Sequence, residues 1–205
     1  GAGTYYILVE TADGCRDTAN VTVTVNAKPV LTVTPPAAVC DPLTVDLTTT
    51  VSSSVAGTIT YYTDAALTTS VADETSAGAG TYYILVETAD GCRDTANVTV
   101  TVNPKPVLTV TPPAAVCDPM TVDLTTTVSS SVAGTLTYYT DAALTTPVAD
   151  ETIAGAGTYY ILVVTADGCR DTANVTVTVN PKPVLTVTPP AAVCDPMTVD
   201  LTTTV

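Results

Sequence analysis

The residues of this chain that are best suited to covalent chemistry are its six cysteines. Histidine is absent and no two cysteines form a C-x-x-C pair, so the common zinc ligand sets are missing. The remaining chemistry for such thiols is disulfide formation in an oxidising compartment. The cysteines occupy two recurring positions, one set being Cys15, Cys92 and Cys169 and the other Cys40, Cys117 and Cys194.

Catalysis and cofactor binding have no comparable basis in the sequence. There is no histidine base, no G-x-S-x-G turn and no lysine beside a serine, so we predict that the chain is not an enzyme. We expect no cofactor, with calcium as the alternative, because carboxylates are its usual ligands. No dense Asp-x-Asp run is present, which favours a solvated acidic surface over a calcium site. The acidic residues in question are Asp13, Asp17, Asp41, Asp46, Asp64, Asp73 and Glu74.

The charge balance excludes several kinds of partner. Six basic residues face 20 acidic ones, for a net charge of −14. Phosphate neutralisation requires clustered lysine and arginine, so we expect no nucleic-acid partner. No apolar run approaches the roughly 18 to 20 residues that span a bilayer, and we expect no membrane insertion.

A near-identical repeat organises the whole chain. The string GAGTYYILV begins at Gly1, Gly78 and Gly155, which gives a period of about 77 residues. We therefore predict two complete domains, 27–103 and 104–180, flanked by the end of one repeat at 1–26 and the start of another at 181–205. We expect the chain to be a segment of a longer tandem array. The two complete copies differ only at Ala27/Pro104, Leu43/Met120, Ile59/Leu136, Ser70/Pro147, Ser76/Ile153 and Glu87/Val164.

Within each copy the patterns predict strands and no helix. In the second copy, strands are expected at 107–111, 121–125 and 135–140, and one short strand within 141–157. The clearest signal is a hairpin of two long strands, 158–165 and 170–179, joined by an Asp-Gly turn.

This arrangement predicts the fold class and the inward-facing residues. Six or seven short strands in a unit of this size indicate an all-β fold of tandem small immunoglobulin-like β-sandwiches, forming an extended rod. Val122, Leu124, Leu136 and Tyr138 should face the core, and each Tyr-Tyr pair should place one ring inward and one outward. The outward rings are candidates for contacts with other filaments.

The strand order bears on how the cysteines pair. One cysteine precedes the second strand and the other follows the hairpin turn, which places them at opposite ends of an immunoglobulin-like domain. A disulfide requires Cα atoms within about 7 Å, so we favour a bond between repeats, Cys40 with Cys169. Pairing within a repeat, Cys40 with Cys92 and Cys117 with Cys169, stays open if the topology differs, and so do free thiols.

The residues also resemble a known group of proteins. GTYYILVETADGCRDTANVTVTVN, followed by PKPVLTVTP, AAVCDP and TYYTDAALTT, resembles the repeats of giant Bacteroidota surface adhesins such as the SprB-type gliding-motility adhesin. The resemblance covers essentially the whole repeat. It implies type IX export, a place at the cell surface, and an adhesive or filamentous role with neighbouring repeats of the same chain as partners.

The resemblance also implies a modification. Proteins of this phylum are O-glycosylated at Asp-Thr-small triplets, which makes Thr18, Thr95 and Thr172 candidate sites. Added hexose in the intact mass tests this expectation. Two alternatives to a shaft stay open: a repeated weak carbohydrate- or protein-binding module that acts by avidity, and a polymer assembled by strand exchange between chains.

Overall fold

The computed structural model describes residues 1–200 as short strands, with 3-10 turns between some of them. The chain divides into two compact units, with the boundary between Pro104 and Lys105. The predicted all-β fold class is therefore confirmed for the described residues. Within residues 1–200, no helix is long and apolar enough to cross a membrane.

Strand bounds repeat almost identically along the chain. The first unit contains β1 Gly3–Glu10, β2 Arg16–Val23, β3 Leu31–Val33, β4 Val39–Cys40, β5 Val51–Ser53, β6 Thr58–Tyr62, β7 Gly80–Glu87, β8 Arg93–Val100 and β9 Val102–Asn103. The second contains β10 Leu108–Val110, β11 Val116–Cys117, β12 Val128–Ser130, β13 Gly134–Tyr139, β14 Gly157–Thr165, β15 Arg170–Val177 and β16 Val179–Asn180.

Each complete repeat is a sandwich of small sheets. In the first, β6, β7 and β8 form an antiparallel sheet in that order, and β3 pairs with β5. β4 pairs in parallel with β9, which continues β8 beyond Thr101. The N-terminal segment of the repeat therefore runs alongside its last strand and in the same direction. The second repeat has the same pairings among β10 to β16.

The long hairpin follows from its turn. Gly91 has φ +77, a conformation that glycine adopts without steric cost, and its N–H donates to the Thr88 carbonyl at 2.9 Å. The Thr88 N–H donates to the Cys92 carbonyl at 3.0 Å and closes the turn. The predicted Asp-Gly hairpin of the second repeat is confirmed as well, with Gly168 at φ +82.

A small aliphatic core fills each sandwich. Val122 and Leu124 are buried, as predicted, and so is Tyr138, while Leu136 packs against this cluster. Inward residues of the long hairpin supply the opposite wall, because alternate side chains of a strand share one face. The first repeat's core consists of Val45, Leu47, Tyr61, Ala77, Ile84, Val98 and Val100.

The predicted strand at 121–125 is wrong. Val122 forms a single bridge with Ala154, and the chain then turns through a 3-10 segment, Leu124–Thr126. The Asp123 carboxylate accepts hydrogen bonds from the Thr125 N–H at 2.9 Å and its hydroxyl at 2.6 Å. These local bonds compete with the sheet ladder, so the strand forms later, at Val128–Ser130.

The loosely patterned segment 141–157 holds a loop where one short strand was expected. Its β-type pairing is limited to the isolated bridges Tyr139–Pro147 and Val122–Ala154, and Val148 packs against the core. Asp141 shapes this loop by accepting from the N–H groups of Thr145 and Thr146. Leu144 adopts φ 56 there, as Leu67 does at φ 57 in the first repeat.

Residues 1–26 contain the long hairpin without the N-terminal half of the same repeat. β1 and β2 pair in the register of β7 and β8. Ile7 is nevertheless 57% exposed, whereas the equivalent Ile84 is 0% exposed. The core of each repeat is therefore built by its N-terminal half packing against this hairpin.

Leu124 tests the core assignment against an exposed control. Leu124→Ala should lower the unfolding free energy of the second unit by about 2–5 kcal/mol, because the side chain is fully buried. Met120→Ala, at a position 60% exposed, should change it by less than about 0.5 kcal/mol. Urea unfolding followed by circular dichroism measures both, and equal shifts would contradict the core described above.

Candidate functional site: the two poles of each repeat

The chain enters each repeat at one end and leaves it at the other, and both ends carry the notable polar residues. We define the N-terminal pole as residues 28–31 together with the β7–β8 turn and its first strand residues, 88–94. The C-terminal pole comprises residues 39–42 and 101–103. The second repeat has the corresponding poles one repeat further along the chain.

One carboxylate organises the N-terminal pole. Asp94, at the start of β8, accepts a hydrogen bond from the Leu31 N–H at 3.0 Å. Its other oxygen lies 3.1 Å from the Lys28 ammonium. These bonds, the one from Leu31 first, lower the pKa of Asp94. The linker residue Lys28 is thereby fixed to the body of the repeat, and the next residue, Pro29, is buried.

The second repeat has the same arrangement. Asp171 accepts from the Leu108 N–H at 3.0 Å and lies 3.5 Å from the Lys105 ammonium. Burial raises the pKa of Asp171, but hydrogen bonds from Leu108 and Thr172 and the charge of Lys105 outweigh it and lower the pKa. Sequence reasoning missed this function of the aspartate. The available signal was the Lys-Pro pair before the first strand and the aspartate two residues after each Gly-Cys.

The C-terminal pole is closed by the parallel ladder. The Val39 N–H donates to the Thr101 carbonyl at 3.1 Å, and the Asp41 N–H donates to the Asn103 carbonyl at 2.9 Å. Cys40 lies directly opposite Asn103, the last residue of the repeat. The chain therefore leaves the repeat beside this cysteine.

The strand register separates the two cysteines of a repeat. Cys92 lies in the turn of the N-terminal pole, whereas Cys40 lies opposite Asn103, at the far end of the extended segment that begins with β8. Over about 11 residues at about 3.3 Å each, the two cysteines are roughly 36 Å apart, far beyond disulfide reach. Cys92 and Cys117 are free thiols in the structure. The pairings left open within a repeat, Cys40 with Cys92 and Cys117 with Cys169, are therefore wrong.

The acidic residues serve as turn caps. The carboxylates of Asp46 and Asp73 accept the N–H groups of Thr48 and Thr75, respectively. Asp64 accepts from the N–H groups of Thr68 and Thr69, and these bonds, Thr69's first, lower the pKa of Asp64. Among residues 1–200, no group of three or more carboxylate or cysteine side chains is placed to hold a metal ion. Calcium binding stays an untested alternative.

The tyrosine pairs of the complete repeats divide between the two faces of the sheet, as predicted, whereas Tyr5 and Tyr6 are both exposed. Tyr61 is buried in the core, while Tyr62 lines a shallow groove of about 600 Å³ on the outer face. Tyr82 packs against the core, and its hydroxyl donates to the Gly78 carbonyl at 3.1 Å. The groove contains Leu67, Leu85, Glu87 and Arg93 as well.

The candidate glycosylation sites lie on exposed strand positions. Thr18, Thr95 and Thr172 are each exposed, and each follows the aspartate that is the second residue of the last long strand. In both complete repeats that aspartate fixes the linker, which explains the Asp-Thr pair without any modification. Glycosylation at these threonines stays a prediction from the resemblance.

The aspartate of the N-terminal pole should make stability depend on pH. A carboxylate whose pKa is lowered on folding stabilises the folded state above its ordinary pKa, near 3.9, and this contribution is lost as the pH falls through the lowered value. Asp171→Asn should therefore lower the urea midpoint at pH 7 and flatten its decline between pH 4 and 2.5. Asp167→Asn, at the exposed turn tip, is the control. Parallel pH profiles for Asp171→Asn and the unaltered chain would contradict this assignment.

Similarity to known proteins is found among solved structures. No protein family matches the chain, and no curated protein matches it. Among solved structures, three titin domains of an E-to-A mutated variant match with a TM-score of 0.51 at 13% identity, over 87% of this chain and 75% of that one. Drosophila OTK extracellular domains 3–5 match with a TM-score of 0.43 at 14% identity, over 87% and 71%. The insect immune protein hemolin gives 0.42 at 14% identity, over 86% and 56%.

These likenesses are too distant in sequence to carry function. Together with the strand pairings, the titin match shows the fold over most of the chain. The protein therefore consists of tandem immunoglobulin-like domains.

Proposed function

We propose that this chain is part of the shaft of an extracellular filament or giant adhesin, in which repeats are added to gain length. The observation that carries the proposal is that each repeat fixes the chain at both poles. Residues up to Asn103 are held by the parallel ladder, and the next repeat fixes Lys105 through Asp171. A linker so short, containing two prolines, limits hinge motion between consecutive repeats.

The charge distribution supports the same role. All six basic residues occupy N-terminal-pole positions of the repeat: Arg16, Lys28, Arg93, Lys105, Arg170 and Lys182. The charged side chains between the poles are therefore all acidic. Like charges on the flanks repel, which opposes sideways clumping of neighbouring shafts.

The resemblance to Bacteroidota surface adhesins supports a finer proposal. On that basis the shaft is exported by the type IX route and displayed at the cell surface, as in gliding-motility adhesins. The disulfide chemistry proposed below requires an oxidising compartment, which agrees with this location.

Solution scattering tests the shaft. Each repeat spans roughly 36 Å from pole to pole, so a head-to-tail chain of this length should be about 95 Å long with a radius of gyration near 27 Å. A compact globule of 205 residues would have a radius of gyration of about 17 Å. The globule's value, measured for the reduced, folded chain, would overturn the proposal.

A second function, a weak binding module repeated along the array, is favoured by the outer-face groove with Tyr62 and Arg93. Aromatic rings beside charged groups suit carbohydrate ligands, and repetition would add avidity. A pure shaft predicts a blank glycan array with the 205-residue chain. Binding that is lost in Tyr62→Ala and Tyr139→Ala together, and kept in Tyr61→Phe, would establish the module instead.

A further inference from the structure

We infer that each joint between consecutive repeats is closed by a disulfide, here Cys40 with Cys169, which turns the array into two continuous covalent strands that carry tension. The inference deepens the proposed shaft and rests on its head-to-tail order. Its geometry comes from the poles of each repeat taken separately and from the length of the linker.

The first step concerns the C-terminal pole of the first repeat. Cys40 lies opposite Asn103 in a parallel ladder, and neighbouring strands are about 4.8 Å apart. Cys40 is thus held beside the residue at which the chain leaves the repeat.

The second step concerns the N-terminal pole of the second repeat. Cys169 lies two residues before Asp171, whose carboxylate binds the N–H of Leu108 and the ammonium of Lys105. Cys169 is therefore held beside the residues at which the chain enters this repeat.

The third step is the linker between these two fixed ends. Asn103 belongs to the ladder and Pro106 is buried, so only Pro104 and Lys105 lie between them. Three Cα–Cα steps reach at most about 11 Å. The chain itself therefore brings the pole with Cys40 to the pole with Cys169, while the two cysteines within a repeat stay roughly 36 Å apart.

The other cysteines remain available for the same kind of bond. Cys15, Cys92, Cys117 and Cys194 are free thiols in the part of the chain that the structure describes. By position, Cys117 and Cys194 are of the Cys40 type, and Cys15 and Cys92 are of the Cys169 type. In a longer array, each would pair with a cysteine of the opposite type across the next joint, at the same sequence separation as Cys40 and Cys169.

The bond forms by thiol–disulfide exchange with an external low-molecular-weight or protein disulfide. One thiolate attacks that disulfide and releases one thiol, and the second thiolate then displaces the other thiol as the Cys40–Cys169 bond closes. Two cysteine thiols are oxidised, the external disulfide is reduced to two thiols, and the protons balance.

The mechanical consequence follows from the strand order. Tension entering at residue 28 passes along residues 28–40, through the disulfide, and along residues 169–180. Both segments span a repeat in extended form and run side by side in the same direction in each domain. Residues 41–168 lie outside this covalent path, so their unfolding would add no length.

Single-molecule pulling on the 205-residue chain from its two ends tests the inference. After oxidation with glutathione disulfide, complete unfolding should yield a contour about 460 Å shorter than after reduction, since about 128 residues at roughly 3.6 Å each are bypassed. Two matched variants separate the pairing from any general effect of thiol loss, because Cys92 and Cys169 lie in identical Asp-Gly-Cys-Arg turns.

Cys92→Ser should keep the short oxidised contour, and Cys169→Ser should restore the full length under the same oxidising conditions. Equal contours for these two variants, with both folded by circular dichroism, would overturn the disulfide. That result would not contradict the proposed shaft. The shaft would be contradicted by a compact radius of gyration, measured by scattering on the reduced chain.

Discussion

The structure depends on one constraint: the first segment of each repeat must lie alongside its last strand and run in the same direction. The parallel pairing of β4 with β9, and the contact of Leu31 with Asp94, hold the two segments together from pole to pole. Parallel pairing cannot be made by a tight turn, so the rest of the repeat must cross back between them. The sandwich, its core and the opposite placement of the chain ends all follow from that return path.

The long hairpin and the core were open to prediction because their signals are local. The Asp-Gly pair specifies the turn, and the strict alternation of apolar and polar residues specifies which side chains face the core. Ile161 and Val175 are accordingly buried. Strand direction alone also predicts that the two cysteines of a repeat lie at opposite poles, and the parallel ladder that places Cys40 opposite Asn103 agrees with this.

The features that the sequence did not predict depend on competition between local side-chain hydrogen bonds and strand pairing, which a periodic pattern does not show. Residues 121–125 alternate like a strand, yet Asp123 closes a local turn with Thr125 and delays the ladder by several residues. The two-residue strand at Cys117 is too short to produce a pattern, and its partner, β16, lies at the other end of the repeat. Leu144 adopts a positive φ in the loop where Asp141 accepts hydrogen bonds from the N–H groups that follow it. No periodic pattern in the sequence indicates this conformation.

The differences between the two complete copies show which ion pairs the fold requires. None of the six differing positions is buried in either copy, and Ile59/Leu136, which packs against the core, conserves volume. Arg93 pairs with Glu87, but the second copy has Val164 there and keeps the same strand register, as expected of an exposed pair between strands that are already joined. The Lys–Asp pair occurs in both copies, and it joins segments that no hairpin connects. Of the two pairs, the one that fixes the linker residue to its own repeat is therefore the one that both copies keep.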